Sequence, residues 1–174
     1  MIANIKIRRA TLRDALNLTV LRQQVWIATY ATEGIREEFS QYVLSSYTPA
    51  KMQLLLESND RVLLIAEIDD HLVGYVEIAF SNQCPIDPAF GPEICVLYVL
   101  ERFLGQGIGY QLLTEAEKTI LDQGAKRVWL DSYYENERAL SFYERQGFKR
   151  VGTSYFEEMK SKYENVVMMK ELGK

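Results

Sequence analysis

Three glycines at alternate positions lie in Leu104-Gly105-Gln106-Gly107-Ile108-Gly109, between a strand-like run ending at Val99 and a helical pattern that starts near Gly107. Glycines spaced in this way let the main chain come close to a ligand. The first-turn amides of the helix, reinforced by its dipole, then donate to a diphosphate. The same glycines would also serve a plain tight turn from strand to helix. A P-loop is excluded, because no Lys-Ser or Lys-Thr follows the glycines. A dinucleotide fingerprint fits poorly: Tyr110 stands where its third glycine belongs, and the first glycine comes six positions after Val99 instead of directly after the strand. Asp131, ending the next strand, is the one residue that favours a dinucleotide.

Other chemistries lack their parts. The single histidine, His71, sits in Asp69-Asp70-His71 between two strand-like runs, which reads as a surface turn. With no second histidine and no Cys-x-x-Cys, neither a zinc site nor a histidine-activated serine or cysteine can be assembled, so no metal is expected. Chemistry falls to carboxylates, tyrosines, backbone amides or a cofactor. Cys84 and Cys95 have nothing basic beside them in sequence to lower a thiol pKa. Twenty basic against twenty-four acidic residues give a net charge of -4, which denies the chain the basic field that nucleic acid needs. Residues 57–93 hold eight acids against Arg61 alone, a local charge of -7 that reads either as a patch for a cationic substrate or as a solvated side. No apolar run approaches the roughly 20 residues of a membrane span. Met1-Ile2-Ala3-Asn4-Ile5-Lys6 alternates apolar and charged residues too early for a signal peptide, and two cysteines suit a reducing compartment, so a cytoplasmic protein is expected.

The elements that must position the glycine loop follow from periodicity. Ile5 to Arg9 alternates like a strand, and Thr11 with Asp14 signals a helix running to about Ala31. Gly34 interrupts; helices follow over about Glu37 to Ser46, and from Thr48-Pro49 to near Ser58. Val62 to Ile68 and Leu72 to Phe80 read as a hairpin, Ser81 to Pro92 as a proline-rich loop, and Glu93 to Val99 as a strand. Ile108, Leu112, Ala116 and Ile120 form the stripe of a helix to Gln123, closed by Gly124. Arg127 to Tyr133 is a strand, Asn136 to Gln146 a helix, and Lys149 to Phe156 and Asn165 to Leu172 are strands. The expected fold is a single α/β domain over residues 1–174: a mixed, mostly antiparallel sheet with a central β-α-β crossover and helices on both faces.

On these residues the chain resembles the GNAT superfamily of N-acetyltransferases, whose fold is the acyl-CoA N-acyltransferase fold. The family's coenzyme A signature, Gln or Arg, two residues, Gly, one residue, Gly or Ala, falls on Leu104 to Gly109, with Leu104 departing from the polar first position. Downstream, Asn136-Glu137-Arg138-Ala139-Leu140-Ser141-Phe142-Tyr143-Glu144-Arg145-Gln146-Gly147-Phe148 is similar to the family's Asn-x-x-Ala-x-x-x-Tyr-x-x-x-Gly-Phe, and Leu97-Tyr98-Val99 to the strand end before its glycine loop. The resemblance implies acetyl-CoA as co-substrate, with no metal. It also implies that Leu97, Tyr98, Val99, Leu104, Gly105, Gln106, Gly107, Ile108, Gly109, Asn136 and Tyr143 contact that co-substrate. The strands holding Leu97 to Val99 and Val128 to Asp131 should diverge to admit the pantetheine arm, and an amide near Tyr98 or Val99 should polarise the thioester carbonyl.

Tyr143 occupies the family's tyrosine position and is the expected general acid, since a phenol of pKa about 10 can protonate a thiolate whose parent thiol lies near 8.5; a core aromatic is the alternative. Many members place a carboxylate on the strand where Cys95 stands here, so Glu93, one step upstream on that face, is the expected base, against a solvated strand-end glutamate. Asn136 can also be a plain N-cap. For the acceptor, Trp26, Tyr30 and Glu33, with Glu37, Glu38, Tyr155 and Phe156, suit a small cationic amine, and the stretch from Trp26 to Phe39 and the ending Asn165 to Leu172 resemble the polyamine-acetylating branch. A protein N-terminus or lysine as acceptor stays open, as do a non-catalytic acetyl-CoA-binding module and a nicotinamide-dependent oxidoreductase. Family members frequently pair, which makes a homodimer one of the outcomes. Neither a nucleic acid nor a membrane partner is expected.

Overall fold

The computed structural model describes residues 4–158 and 161–173. Asp69 and Asp70 both adopt the left-handed backbone, with φ of 49° and 61°, which is what a two-residue type I′ hairpin turn requires and what aspartate tolerates. They join β2 (Arg61–Ile68) to β3 (His71–Ala79), so His71 opens a strand and is exposed. The other strands are β1 (Ile5–Arg9), β4 (Glu93–Val99), β5 (Arg127–Tyr133), β6 (Lys149–Glu158) and β7 (Ser161–Glu171). The seven form one sheet in the order β1-β2-β3-β4-β5-β7-β6, mostly antiparallel. Among the described residues the α-helices are α1 (Ala15–Tyr30), α2 (Glu37–Ser46), α3 (Pro49–Glu57), α4 (Ile108–Asp122) and α5 (Glu137–Arg145). The segment β4-α4-β5 is the expected crossover, because β4 and β5 are parallel, in register at Glu93 and Trp129. Among the described residues no helix is long and apolar enough to cross a membrane.

The chain forms two compact units. The first comprises Met1–Ile78 and Val96–Ala116, the second Ala79–Cys95 and Glu117–Lys174, and both β4 and α4 contribute residues to each. In the first unit β1 pairs antiparallel with β2, placing Ile7 opposite Ala66. Arg8 grips two carboxylates at once, donating to Asp14 at 2.8 and 2.9 Å and to Glu67 at 2.6 and 3.0 Å. Asp14 also accepts from the Thr11 amide at 2.7 Å, closing the turn that the Thr11 and Asp14 spacing predicts. That turn is a short 3-10 segment, Leu12–Asp14, before α1 begins. Thr48 caps α3 by accepting from the Lys51 amide. Leu18, Ile65, Val73, Tyr75 and Val76 fill the core of this unit, with Ile108 and Leu112 from α4.

In the second unit β7 lies between β5 and β6, antiparallel to both, with Asp131 opposite Val167 and Ser154 opposite Asn165. Cys84, Trp129 and Val167 pack with Phe90 and Val151, and Ile86 lies over Gly152, where an added Cβ would come within 2.5 Å of it. Lys170 donates to Glu117 at 2.6 and 2.8 Å. The C-terminus of α4 closes at Gly124, φ 85°, with the Ala125 amide reaching back to the Ile120 carbonyl.

The Arg8 hydrogen bonds hold the Asp14 carboxyl at about 2, below its ordinary 3.8. A carboxyl depressed in the folded state contributes stability that is complete above its unfolded pKa and is lost as pH falls through the folded value. Asp14→Asn should therefore lower stability by about 2 kcal/mol at neutral pH and flatten its dependence between pH of about 4 and about 2. Urea midpoints of the two proteins across that window provide the check.

Candidate active site

The first unit carries the glycine loop. The Leu100 amide bonds the Val73 carbonyl at 2.9 Å, tying the end of β4 to β3, and a 3-10 turn, Glu101–Phe103, leads to Leu104. Gly105 and Gly107 have φ of 78° and 81°, a conformation that side-chain-bearing residues rarely adopt. A Cβ at either would meet no protein atom within 4 Å, so the backbone lies open there. The first helical hydrogen bond of α4 runs from the Gln111 amide to the Gly107 carbonyl, which leaves the amides of Ile108, Gly109 and Tyr110 without an intrahelical acceptor. Ile108 is 1% exposed and anchors the turn in the core, whereas Gly105, Gln106 and Gly107 are exposed. Gln106 donates to the Arg102 carbonyl at 3.3 Å, and Leu104 is half-buried. Main-chain donors in the first turn of a helix, next to two glycines with open space around them, fit a diphosphate.

Gly74 on β3 shapes the strand that leads into this loop. A Cβ there would stand 2.7 Å from the Tyr98 carbonyl oxygen and 3.2 Å from the Val99 side chain, so only glycine permits the approach. Leu97, Tyr98 and Val99 are all half-buried. The Tyr98 ring meets Tyr75 edge-on at 5.9 Å. Burial pushes the Tyr98 phenol up, opposed by the Arg22 guanidinium and assisted by Glu77.

Arg22, Tyr75 and Glu77 went unread in the sequence. Glu77 is 1% exposed and joins Arg22 at 3.1 Å to Arg61 at 2.5 Å, linking α1, β3 and β2. Arg22 lies over the Tyr47 ring at 4.9 Å, and its Nε, like the Tyr75 hydroxyl, is buried with no partner. The acidic stretch is thus not one solvated side, because Glu77 and Glu67 are both buried in arginine pairs. The continuous run Leu72 to Ala79, buried without a break from Val73, could have flagged Glu77 as the one charged residue inside it. Trp26 is 2% exposed, enclosed by Tyr30, Phe39, Tyr42 and Tyr47 at 4.9 to 6.4 Å, so it backs this wall and presents no surface. Tyr30 is half-buried, and Glu33, Glu37 and Glu38 are exposed.

The second unit holds the remaining candidates. Asn136 caps α5, its Oδ1 accepting from the Ala139 amide at 3.2 Å. Tyr143, 8% exposed, faces Phe142 at 5.3 Å and Phe148 at 5.7 Å. Glu93 is half-buried and accepts from Asn82 at 2.5 Å; the same Asn82 amide lies 3.8 Å from Cys95 Sγ. It is therefore held by a side chain, unlike a solvated strand-end glutamate. Asp131 accepts from the Ser154 hydroxyl at 2.8 Å. Trp129 Nε1 and Asn165 Oδ1 are buried without partners. Tyr155 is exposed, and the side chain of Phe156 lies outside the described residues.

The model of the acetyltransferase (GNAT) family matches residues 32–148, a stretch that includes the glycine loop, Glu93, Asn136 and Tyr143. The chain belongs to the GNAT family. An uncharacterized N-acetyltransferase of Mycobacterium tuberculosis is 31% identical over 137 residues, covering 78% of this chain and 83% of its own. The spermidine N(1)-acetyltransferase of Thermoplasma acidophilum is 28% identical over 168 residues, 93% of this chain and 99% of that one. Among solved structures, the PaiA N-acetyltransferase of Thermoplasma acidophilum in complex with coenzyme A superposes with a TM-score of 0.79 at 26% identity, over 97% of this chain and 99% of that one. This GNAT protein is an acetyl-CoA-dependent N-acetyltransferase, and acetyl-CoA is its co-substrate.

Two glycine substitutions separate the loop's roles. Gly74→Ala drives a Cβ into backbone and should lower stability by about 1–3 kcal/mol. Gly107→Ala meets no protein atom, so its strain should cost only about 1–2 kcal/mol, while acetyl-CoA affinity falls by more than that strain explains. Urea midpoints with calorimetric acetyl-CoA titrations of both variants check this.

Proposed function

We propose that the chain transfers the acetyl group of acetyl-CoA to a primary amine of a small cationic molecule, with a polyamine as the favoured class. The observation that carries the reading is the open first turn of α4, whose amides at Ile108, Gly109 and Tyr110 have no intrahelical acceptor. Those amides, with the backbone of Leu104, Gly105, Gln106 and Gly107, bind the diphosphate. Backbone at Leu97, Tyr98 and Val99 holds the pantetheine arm, and an amide near Tyr98 or Val99 polarises the carbonyl. Acetyl-CoA supplies the acyl group already activated as a thioester.

Glu93, fixed by Asn82, takes a proton from the ammonium so that the free amine can attack. Tyr143 gives its hydroxyl proton to the departing sulfur and regains, by way of solvent, the proton that the attacking nitrogen releases as the amide forms. Asn136 both caps α5 and contacts the co-substrate. Tyr30 and Glu33 face the acceptor, with Trp26 holding Tyr30 in place. The near-full-length similarity to a spermidine N(1)-acetyltransferase supports a polyamine. A second reading, acetylation of a protein N-terminus, is favoured by an N-alpha-acetyltransferase of Sulfurisphaera tokodaii, 32% identical over 103 residues, 55% of this chain and 61% of that one. We take residues 1–174 as one catalytic domain acting on a free small molecule. We place it in the cytoplasm, where the thiols of Cys84 and Cys95 stay reduced.

Tyr143→Phe should keep acetyl-CoA affinity within about threefold and lower kcat by about 100-fold or more. Glu93→Gln should remove the acidic limb of the kcat/KM profile. A thiol-release assay over pH tests both. The same assay, run with spermidine, a peptide N-terminus and an aminoglycoside, tests the acceptor; spermidine performing no better than the peptide would contradict the polyamine assignment.

A further inference from the structure

Asp131 is a half-buried carboxylate whose described partner is the Ser154 hydroxyl at 2.8 Å. Among the described residues no lysine or arginine forms an ion pair with it, whereas Lys170 of β7 is taken up by Glu117. Ser154 stands opposite Asn165 in the β6–β7 register, and Asp131 stands opposite Val167, two residues along β7 from Asn165. Cross-strand partners and alternate residues share a sheet face, so Asp131, Ser154 and Asn165 are neighbours on one face. Asn165 is 8% exposed, and its Oδ1 is buried with no donor. An amide oxygen left in this state costs about 1–3 kcal/mol unless a donor arrives. The three side chains together present a carboxylate oxygen, a hydroxyl lone pair and an orphan amide oxygen, and what satisfies that set is a group with several N–H donors and a positive charge. An alkylammonium has three such donors and one charge.

We propose that Asp131, Ser154 and Asn165 form a seat for the second ammonium of a diamine acceptor. The inference rests on the amine-acetylation reading and adds the residues that select the acceptor. Glu93, the proposed base, is in register with Trp129, and Asp131 lies two residues further along β5 on the same face. With strands about 4.8 Å apart and about 3.3 Å per residue, the Glu93 and Asp131 backbones are separated by roughly 8 Å, a span that the two ends of a short aliphatic diamine bridge between the carboxylates. A monoamine of the same length can engage Glu93 but leaves the seat empty.

Calorimetric titration of the CoA-saturated protein with putrescine and with butylamine tests the seat without relying on turnover. Putrescine should bind at least about tenfold more tightly, the value of one charge-assisted hydrogen-bond set. Asp131→Asn should bring the ratio of the two affinities to within about twofold of unity, and Ser154→Ala should reduce it about threefold. Equal affinities in the unaltered protein, or no binding of either amine, would overturn the seat, and that comparison does not depend on any variant folding. Equal affinity with butylamine still acetylated would leave the transferase reading standing; failure of every amine to be acetylated would sink that reading by itself.

Discussion

An α-helix leaves its first amides unpaired, and in this protein three of them follow a turn in which Gly105 and Gly107 leave the backbone open. A diphosphate is the ligand that matches several N–H groups converging with a helix dipole, and the glycines at 105 and 107 are needed both for their positive φ and for the bare surface they leave. Leu104 stands where the signature has a polar first residue, and it is half-buried. The donors are main-chain atoms, which no side-chain substitution at 104 removes.

Around the loop, the fold spends its buried charges on fixing backbone. Arg8 joins β1 to the α1 entrance and to β2, and Glu77 joins α1 to β2 and β3 through two arginines. Breaking one partner of such a buried pair costs more than the pair contributes over an apolar substitute, so these contacts specify where α1 and its aromatic wall sit. Trp26 belongs to the same framework. Its ring packs against Tyr30, Phe39, Tyr42 and Tyr47.

Much of this was legible in the residues. Period-two and 3.6-residue patterns located all seven strands and five helices within a few positions, and α2 and β5 agree at both ends. The glycine spacing pointed to an anion site, and the resemblance carried by Leu104–Gly109 and Asn136–Phe148 led to the family that its model confirms. Long-range pairing was not legible. The Glu77 triad joins residues 55 and 16 positions apart, and the Asp131–Ser154 bond spans 23, so no local window contains either. Asp131 read alone favoured a dinucleotide; only the register of β5, β7 and β6 brings it beside Ser154 and Asn165. The acidic run was misread for the same reason, since the arginines that bury Glu67 and Glu77 come mostly from distant strands and helices.

The most direct test of the account is an amide NMR titration of the isotope-labelled protein with coenzyme A. If main-chain donors at the start of α4 hold the diphosphate, the amide proton resonances of Gly105, Gly107, Ile108 and Gly109 should move downfield together with saturation. The same shifts should fail to appear with a pantetheine fragment lacking phosphates. Saturable binding of coenzyme A that leaves those four resonances in place would contradict it.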